Sequence, residues 1–141
     1  MRPIAACTQV DPFDLPEWLG VDEVTWHAVG RLEHGIVPGA LRSDVSGTEV
    51  PCDLLAADVA YPAIVVDEPT RVLIHQAWRG GQVHLVDRDG RLTLGAPGTD
   101  FPAPRVLDAV GRLAKAVGAP PDHFCVRLRV AREGGGWDRG G

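Results

Sequence analysis

Apolar and polar residues alternate with a period of two in several stretches of the chain, a pattern that predicts strands with one buried face. Residues 24–32 follow it, with Trp26 on the apolar side and His27 on the polar side. After a turn, residues 36–44 predict a second strand, which Pro38 and Gly39 confine to a sheet edge or a bulge. These two segments are expected to pair as a hairpin.

Further segments complete the predicted sheet. Residues 50–59 are interpreted as a third strand, with a short helix as the alternative because their apolar centre does not alternate. Residues 82–87 and 91–95 flank Asp89–Gly90, a dipeptide that tolerates the positive φ angles of a tight turn, and therefore predict a hairpin. Residues 124–130 alternate again and predict the last strand.

Two segments carry helix signals. A first helix is predicted from Asp67, whose carboxylate can accept backbone N–H bonds of the first turn, to about Trp78, before Gly80 and Gly81. A second helix is predicted over residues 104–117, because apolar residues recur there at helical spacing. The residues of this apolar stripe are Val106, Val110, Leu113 and Val117.

The predicted element order, β-β-β-α-β-β-α-β, indicates an α+β two-layer sandwich. Because hairpins join most of the strands, we expect a mainly antiparallel sheet of about five or six strands with both helices on one face. Residues 1–10 are predicted to be a flexible N-terminus, 11–130 a single domain and 131–141 a disordered glycine-rich tail. An arm within the domain is expected to dock Trp18 and Leu19, because exposed apolar side chains are unfavourable.

Composition agrees with a single globular domain. The chain has 141 residues, of which 45% are hydrophobic and 23% are charged, and these values exclude global disorder and a coiled coil. The net charge of −5 argues against a dedicated nucleic-acid-binding protein, which needs a basic surface for phosphates. The longest mostly apolar run, residues 59–66, is far shorter than the roughly 20 residues of a membrane-spanning helix.

Residue types that carry chemistry lack the spacing that a catalytic or metal site requires. Cys7, Cys52 and Cys125 are scattered, without the pairing of a zinc knuckle or a disulfide framework, which fits a reducing cytoplasm. The 5 histidines form no metal-binding motif, and no serine lies in a nucleophile elbow. We therefore predict no cofactor, no metal ion and no catalytic residue.

The candidate functional surface is the polar side of the predicted sheet, which the two helices would leave open. We predict a small cytoplasmic protein-interaction or adaptor module without catalytic activity, whose partner is another protein, acidic in character, or a second copy of the chain. Neither nucleic acid nor a membrane is expected as a partner. The candidate interaction residues are His27, Arg31, His84, Arg91, Arg127 and Arg129 on this side, and Trp18 in the arm.

Two alternative functions remain open at this point. A small enzyme or ligand-binding protein could use a His/Arg cluster formed by His27, His84 and Arg127 on the open sheet face. An RNA-binding module could use the arginines of the same face. However, Trp26 and Phe124, the aromatic residues that would stack bases, fall on the opposite, buried side.

Several short motifs together resemble a family of small actinobacterial proteins. The resemblance spans residues 11–130, and the family has no assigned activity, cofactor or catalytic residue, so it implies an origin rather than a function. It implies a cytoplasmic bacterial protein that is a full-length, single-domain gene product. The motifs are Asp11-Pro-Phe-Asp-Leu-Pro-Glu-Trp-Leu-Gly20, Pro51-Cys-Asp-Leu-Leu-Ala56, Tyr61-Pro62, His75-Gln-Ala-Trp78, Asp89-Gly-Arg-Leu-Thr-Leu94 and Arg112-Leu-Ala-Lys-Ala-Val-Gly-Ala119.

Overall fold

Eight strands form one mixed β-sheet, and two α-helices pack against it, in the computed structural model, which describes residues 7–58 and 67–127. The α+β class predicted from the sequence is therefore confirmed. The strands are β1 Cys7–Gln9, β2 Val24–Ala28, β3 Ile36–Val37, β4 Gly39–Ser43, β5 Glu49–Ala57, β6 His84–Arg88, β7 Arg91–Pro97 and β8 Phe124–Arg127. The helices are α1 Glu68–Arg79 and α2 Ala103–Ala116. The predicted tail, 131–141, lies outside the described residues.

The strands follow the order β1-β6-β7-β5-β4-β2-β8, and β3 adds to β5. Two pairings, β5 with β7 and β2 with β8, are parallel. The prediction of a mainly antiparallel sheet of five or six strands is therefore wrong: the sheet is mixed and has more strands. One reason is that the β6–β7 hairpin, reached through α1, places its second strand beside β5 in the same direction. The other is that the crossover through α2 brings β8 alongside β2 in the same direction.

Strands β3 and β4 are two parts of one extended segment that Pro38 interrupts. Val37 lies opposite Leu54, and Ala40 lies opposite Pro51, so both parts keep the same register against β5. Proline has no N–H to donate to a sheet, which explains the break. Residues 49–57 form a strand, so the strand interpretation of this region is confirmed and the helix alternative is wrong.

The two helices pack against opposite faces of the sheet, so the prediction that both lie on one face is wrong. Helix α2 buries Val110 and Leu113 in the main core with Leu54 and Leu94, which point to one side of β5 and β7. Helix α1 buries Ile74 against Leu55 and Ala57, which point to the other side of β5. Strand β5 is apolar on both sides over this stretch because both of its faces are covered.

Local signals in the sequence placed the helix ends and the tight turn correctly. The Asp67 carboxylate accepts a bond from the backbone N–H of Thr70 at 3.0 Å and caps α1, and Gly80 follows the last helical residue. Asp89 and Gly90 have φ angles of 57° and 82°, as the predicted hairpin requires.

The arm before β2 docks on the α2 side of the sheet. It contains two short 3₁₀ turns, Pro12–Asp14 and Glu17–Gly20. Leu19 is fully buried in the main core and Trp18 packs against that core, as predicted, whereas Phe13 is 94% exposed. Neither helix of the described part combines the length and the apolar character that crossing a bilayer requires.

Candidate functional site

The face of the sheet opposite α2 is only partly covered. Helix α1 lies over β5, β6 and β7 on this side, and among the described residues no helix lies over β2, β4 and β8 there. The polar side chains on this side that remain at least partly exposed form a continuous surface, which we call the open face. Its residues are Thr25, His27, Arg42, Glu49, Arg88, Arg91, Cys125 and Arg127.

Strand register aligns basic side chains of the open face across the sheet. His27 of β2 lies opposite Arg127 of β8, and Arg88 of β6 lies opposite Arg91 of β7. The registers of β4, β5 and β7 place these two pairs at the same level of the sheet. The five inter-strand steps from β8 to β6, at about 4.8 Å each, span roughly 24 Å. The open face therefore presents a row of positive charge rather than a single cluster.

The most rigidly held group of the open face is Arg91. Its Nε and Nη2 atoms each donate to the Asp53 carboxylate at 2.8 Å, and Nη2 also donates to the carbonyl of Gly39 at 3.3 Å. Asp53 is only 2% exposed and also accepts the backbone N–H of Gly39 at 3.2 Å. Hydrogen bonding to Asp53 raises the pKa of the Arg91 guanidinium. This arrangement fixes the orientation of Arg91 and ties β7 to the break between β3 and β4.

Gly39 allows this arrangement because it has no side chain. A Cβ atom at this position would lie 2.3 Å from Cζ2 of Trp26, whose indole N–H donates to the carbonyl of Cys52 at 2.9 Å. The Trp26 ring therefore packs directly on Gly39 from the α2 side. The backbone N–H and carbonyl of Gly39 bond to Asp53 and Arg91.

The remaining charges of the open face are loosely held. His27 lies 3.3 Å from a carboxylate oxygen of Glu49, and the side chains of both residues are substantially exposed. Arg42 lies 3.7 Å from Asp44, which accepts a bond from the Thr25 hydroxyl at 2.9 Å. Exposed pairs of this kind contribute little to stability, typically about 0–1 kcal/mol. Their side chains are free to reorient toward a ligand.

His84 does not belong to the open face, so its predicted place there is corrected. It lies opposite Gly95, next to the position that Ile74 of α1 covers, and it is only 8% exposed. Burial lowers the pKa of its imidazole because the charged form loses hydration. The covering element is α1, which the sequence analysis expected on the other face. His27, His84 and Arg127 therefore do not form a cluster.

Two other predicted residues, Arg31 and Trp18, also lie away from this surface. Arg31 is exposed, but it lies in the loop between β2 and β3 and not on a strand of the sheet. Trp18 is half-buried against the main core on the α2 side, which is the opposite face of the molecule. Arg129 lies outside the described residues.

Two of the thiols, those of Cys7 and Cys52, are made less reactive by their surroundings. Burial raises the pKa of Cys52, which is fully buried, and of Cys7, which is half-buried. Residues 7–58 and 67–127 contain no group of three or more histidine, cysteine or acidic side chains placed to hold a metal ion.

Sequence reasoning missed Arg42, Glu49, Asp53 and Arg88, all of which lie on or beside the open face. Asp53 carried a usable signal, because a carboxylate between Cys52 and Leu54 in an apolar strand must find a buried partner. Arg88 carried another, because the hairpin around Asp89–Gly90 makes it the direct opposite of Arg91.

No protein-family model, curated protein or solved structure matches the chain. The resemblance to small actinobacterial proteins is therefore untested, and the function has to be argued from the open face itself.

Proposed function

We propose that the chain is a non-enzymatic protein-interaction module that binds an acidic, extended segment of another protein along the open face. The observation that supports this most strongly is a row of basic side chains that runs from the hairpin end of β6 and β7 to β2 and β8, strands that no helix covers on this side among the described residues. The row consists of Arg88, Arg91, His27 and Arg127. We further propose a cytoplasmic location, which suits three scattered cysteines.

Charge supports an acidic partner. The whole chain carries a net charge of −5, yet the open face holds four arginines and one carboxylate, Glu49. The nearby carboxylates Asp53 and Asp44 already have partners, Arg91 and Arg42. A basic strip attracts acidic segments and repels the same strip of a second copy, so it disfavours a symmetric dimer through this face and favours an acidic partner.

Size supports an extended partner. An extended chain covers at most about 3.3–3.6 Å per residue, so about seven residues are needed to span the roughly 24 Å between Arg127 and Arg88. A segment with acidic side chains toward both ends would meet the two basic pairs at once. We expect each pair to contribute modestly, since exposed charges are screened by salt.

RNA is a weaker candidate for the same face. Single-stranded RNA is bound by aromatic side chains that stack on bases, in addition to basic groups. Trp26 and Phe124 pack against the main core on the α2 side. The open face consists of aliphatic, polar and charged groups, which suits carboxylates better than bases.

The proposal is tested by reversing charge on the open face. Proteins captured from a lysate of the source organism are quantified by mass spectrometry for the wild type, for Arg42→Glu/Arg127→Glu and for the control Arg31→Glu/Arg79→Glu. The control changes the net charge equally at two exposed positions away from the open face. We expect the affinity of the purified partner, measured by calorimetry, to fall at least about tenfold in the open-face variant only.

Two outcomes would contradict the proposal. Equal retention of the partner by both double variants would remove the open face as the binding surface. A concentration-dependent dimer in analytical ultracentrifugation that dissociates in Arg42→Glu/Arg127→Glu would assign the open face to a second copy of the chain instead.

A further inference from the structure

A pair of arginines faces each other where the β6–β7 hairpin closes. Arg88 and Arg91 are direct cross-strand partners on either side of the Asp89–Gly90 turn, and both point to the side of the open face. Side chains at such opposite positions lie about 4.5–5.5 Å apart at Cβ, and like charges there are destabilising. A negative charge near Arg88 and Arg91 would therefore offset the repulsion between the two guanidinium groups.

Asp53 supplies that charge to Arg91 alone. The carboxylate binds Nε and Nη2 of Arg91, and no hydrogen bond within residues 7–58 and 67–127 uses Nη1. One guanidinium is thus neutralised and held in a fixed orientation, with donor capacity left over. A fixed guanidinium loses little conformational freedom when it binds a further ligand.

Arg88 lacks such a partner among the described residues. Its Nε atom is buried without any hydrogen-bond acceptor, and its guanidinium takes part in no ion pair there. Buried donor atoms without an acceptor are few in folded proteins, and a bound ion is one explanation of such an atom. This observation is independent of the pairing with Arg91, and it places an unsatisfied donor at the same end of the hairpin.

Two of the acidic groups near the hairpin have other partners, and among the described residues no ion pair joins the third, Asp89, to Arg88. Asp87 accepts the backbone N–H of Gly90 at 2.9 Å within the turn, and Asp67 caps α1 through Thr70. Asp89 is exposed at the tip of the turn. Cys7 lies opposite Arg88 on β1, and burial raises the pKa of its thiol despite Arg88, so the thiol supplies no negative charge near neutral pH.

We propose that Arg88 and Arg91 form an oxyanion-binding subsite at the hairpin end of the open face, which accepts a carboxylate or a phosphate. The two side chains extend from directly opposite positions on the same face, and guanidinium donors bind the paired oxygens of such anions. The natural source of the anion, an acidic side chain of the partner, rests on the proposed function. The subsite itself does not, because a free anion can occupy it.

Inorganic phosphate is the probe for the subsite. Sodium phosphate is titrated into the ¹⁵N-labelled full chain at constant ionic strength, with sodium acetate as the carboxylate arm, while the Nε–Hε resonances of the arginines are followed by NMR. We expect the Arg88 and Arg91 resonances to move saturably in both arms. Arg88→Gln should weaken phosphate binding by about tenfold or more, and the control Arg42→Gln, on the same face, should leave it within about twofold.

A second variant, Arg88→Lys, distinguishes a loss of anion binding from a loss of the fold. Lysine keeps the positive charge but lacks the planar arrangement of N–H donors of a guanidinium. We expect it to bind phosphate more weakly than the wild type while its backbone amide spectrum stays superimposable. Shifts that do not saturate, or that persist unchanged in Arg88→Gln, would overturn the subsite.

The natural ligand is tested separately by competition. Phosphate should displace the acidic partner from the wild-type chain. Saturable phosphate binding without displacement would uphold the subsite and overturn its assignment to the partner's carboxylates. Full affinity of the partner for Arg88→Gln, together with the absence of phosphate shifts, would overturn the subsite and leave the protein-interaction function standing.

Discussion

At the scale of single residues, the arrangement of Asp53 and Arg91 combines a structural and a functional role. Asp53 is the only buried carboxylate among the described residues, and it is held by a guanidinium that is 37% exposed. Because Arg91 bridges the interior and the open face, its side chain can be rigid and still reach a ligand. A surface arginine without such an anchor would lose more conformational freedom on binding.

Removing the charge of Asp53 tests this anchor. Asp53→Asn keeps the size of the side chain but leaves the Arg91 guanidinium without a counter-charge. We expect the free energy of unfolding in urea to fall by about 2–3 kcal/mol, below the range for fully buried pairs because Arg91 is partly exposed. The control Asp44→Asn, in an exposed pair, should cost about 0–1 kcal/mol. Equal losses in both variants would show that Asp53 and Arg91 are not strongly coupled.

At the scale of elements, the position of α1 depends on a glycine. A Cβ atom at Gly95 would lie 2.5 Å from Cγ1 and 2.6 Å from Cδ1 of Ile74, so α1 rests directly on the backbone of β7. This close approach buries His84 and limits the open face to β2, β4, β8 and the hairpin end. The extent of the candidate surface is therefore set by where one helix packs.

Gly95→Ala tests this contact. The added methyl group must displace Ile74, so we expect a loss of about 1–3 kcal/mol in the free energy of unfolding, measured by urea denaturation. The control Gly111→Ala adds a methyl group at an exposed helical position with no atom within 4 Å, and it should stabilise the protein by about 0.5–1 kcal/mol. In the double variant Gly95→Ala/Ile74→Ala the two losses should not add, because removing the Ile74 side chain removes the clash. Strict additivity would contradict direct packing of Ile74 on Gly95.

The strands and helices could be predicted because their signals are local. Asp67 marks a helix start, Asp89–Gly90 marks a tight turn, and the alternation around Trp26 marks a half-buried strand. The placement of α1 could not be predicted. The apolar pattern of a helix shows that one side of the helix is buried, but it does not show which face of the sheet the helix covers. Only the unbroken apolar run of Leu54 to Ala57 indicated that a central strand is covered on both faces.

The pairing of distant strands was likewise hidden. The parallel contact of β2 with β8 joins segments from opposite ends of the described chain, and no short-range pattern specifies such a partner. Strand β1 was missed because its three residues, Cys7 to Gln9, have no apolar alternation. Arg88 and Asp53 were assigned to the candidate site only once the strand register was known. The role proposed for each depends on Arg91, which lies on a neighbouring strand.

At the scale of the whole molecule, one arginine connects the helices on the two faces. Arg112 of α2 donates through Nη1 to the carbonyl of Trp78, in the last turn of α1, at 2.8 Å and to that of Gln82, just after α1, at 3.0 Å. Its Cζ lies 3.6 Å from the centre of the Trp78 ring, and Asp108 binds the remaining donors. Trp78 also packs against the main core, so the end of α1 contacts the elements on both sides of the sheet.

His84 makes the stability of this whole assembly depend on pH. Burial lowers the pKa of its imidazole in the folded state, whereas an unfolded histidine titrates near about 6.5. The unfolded chain therefore binds more protons below that pH, so the free energy of unfolding is highest above it and falls as the pH drops toward the folded-state pKa. We expect the difference in the free energy of unfolding between the wild type and His84→Gln to decrease in this way as the pH is lowered from about 7.5 to 5. The measurement is urea denaturation at each pH. A slope unchanged in His84→Gln would assign the pH dependence to other groups.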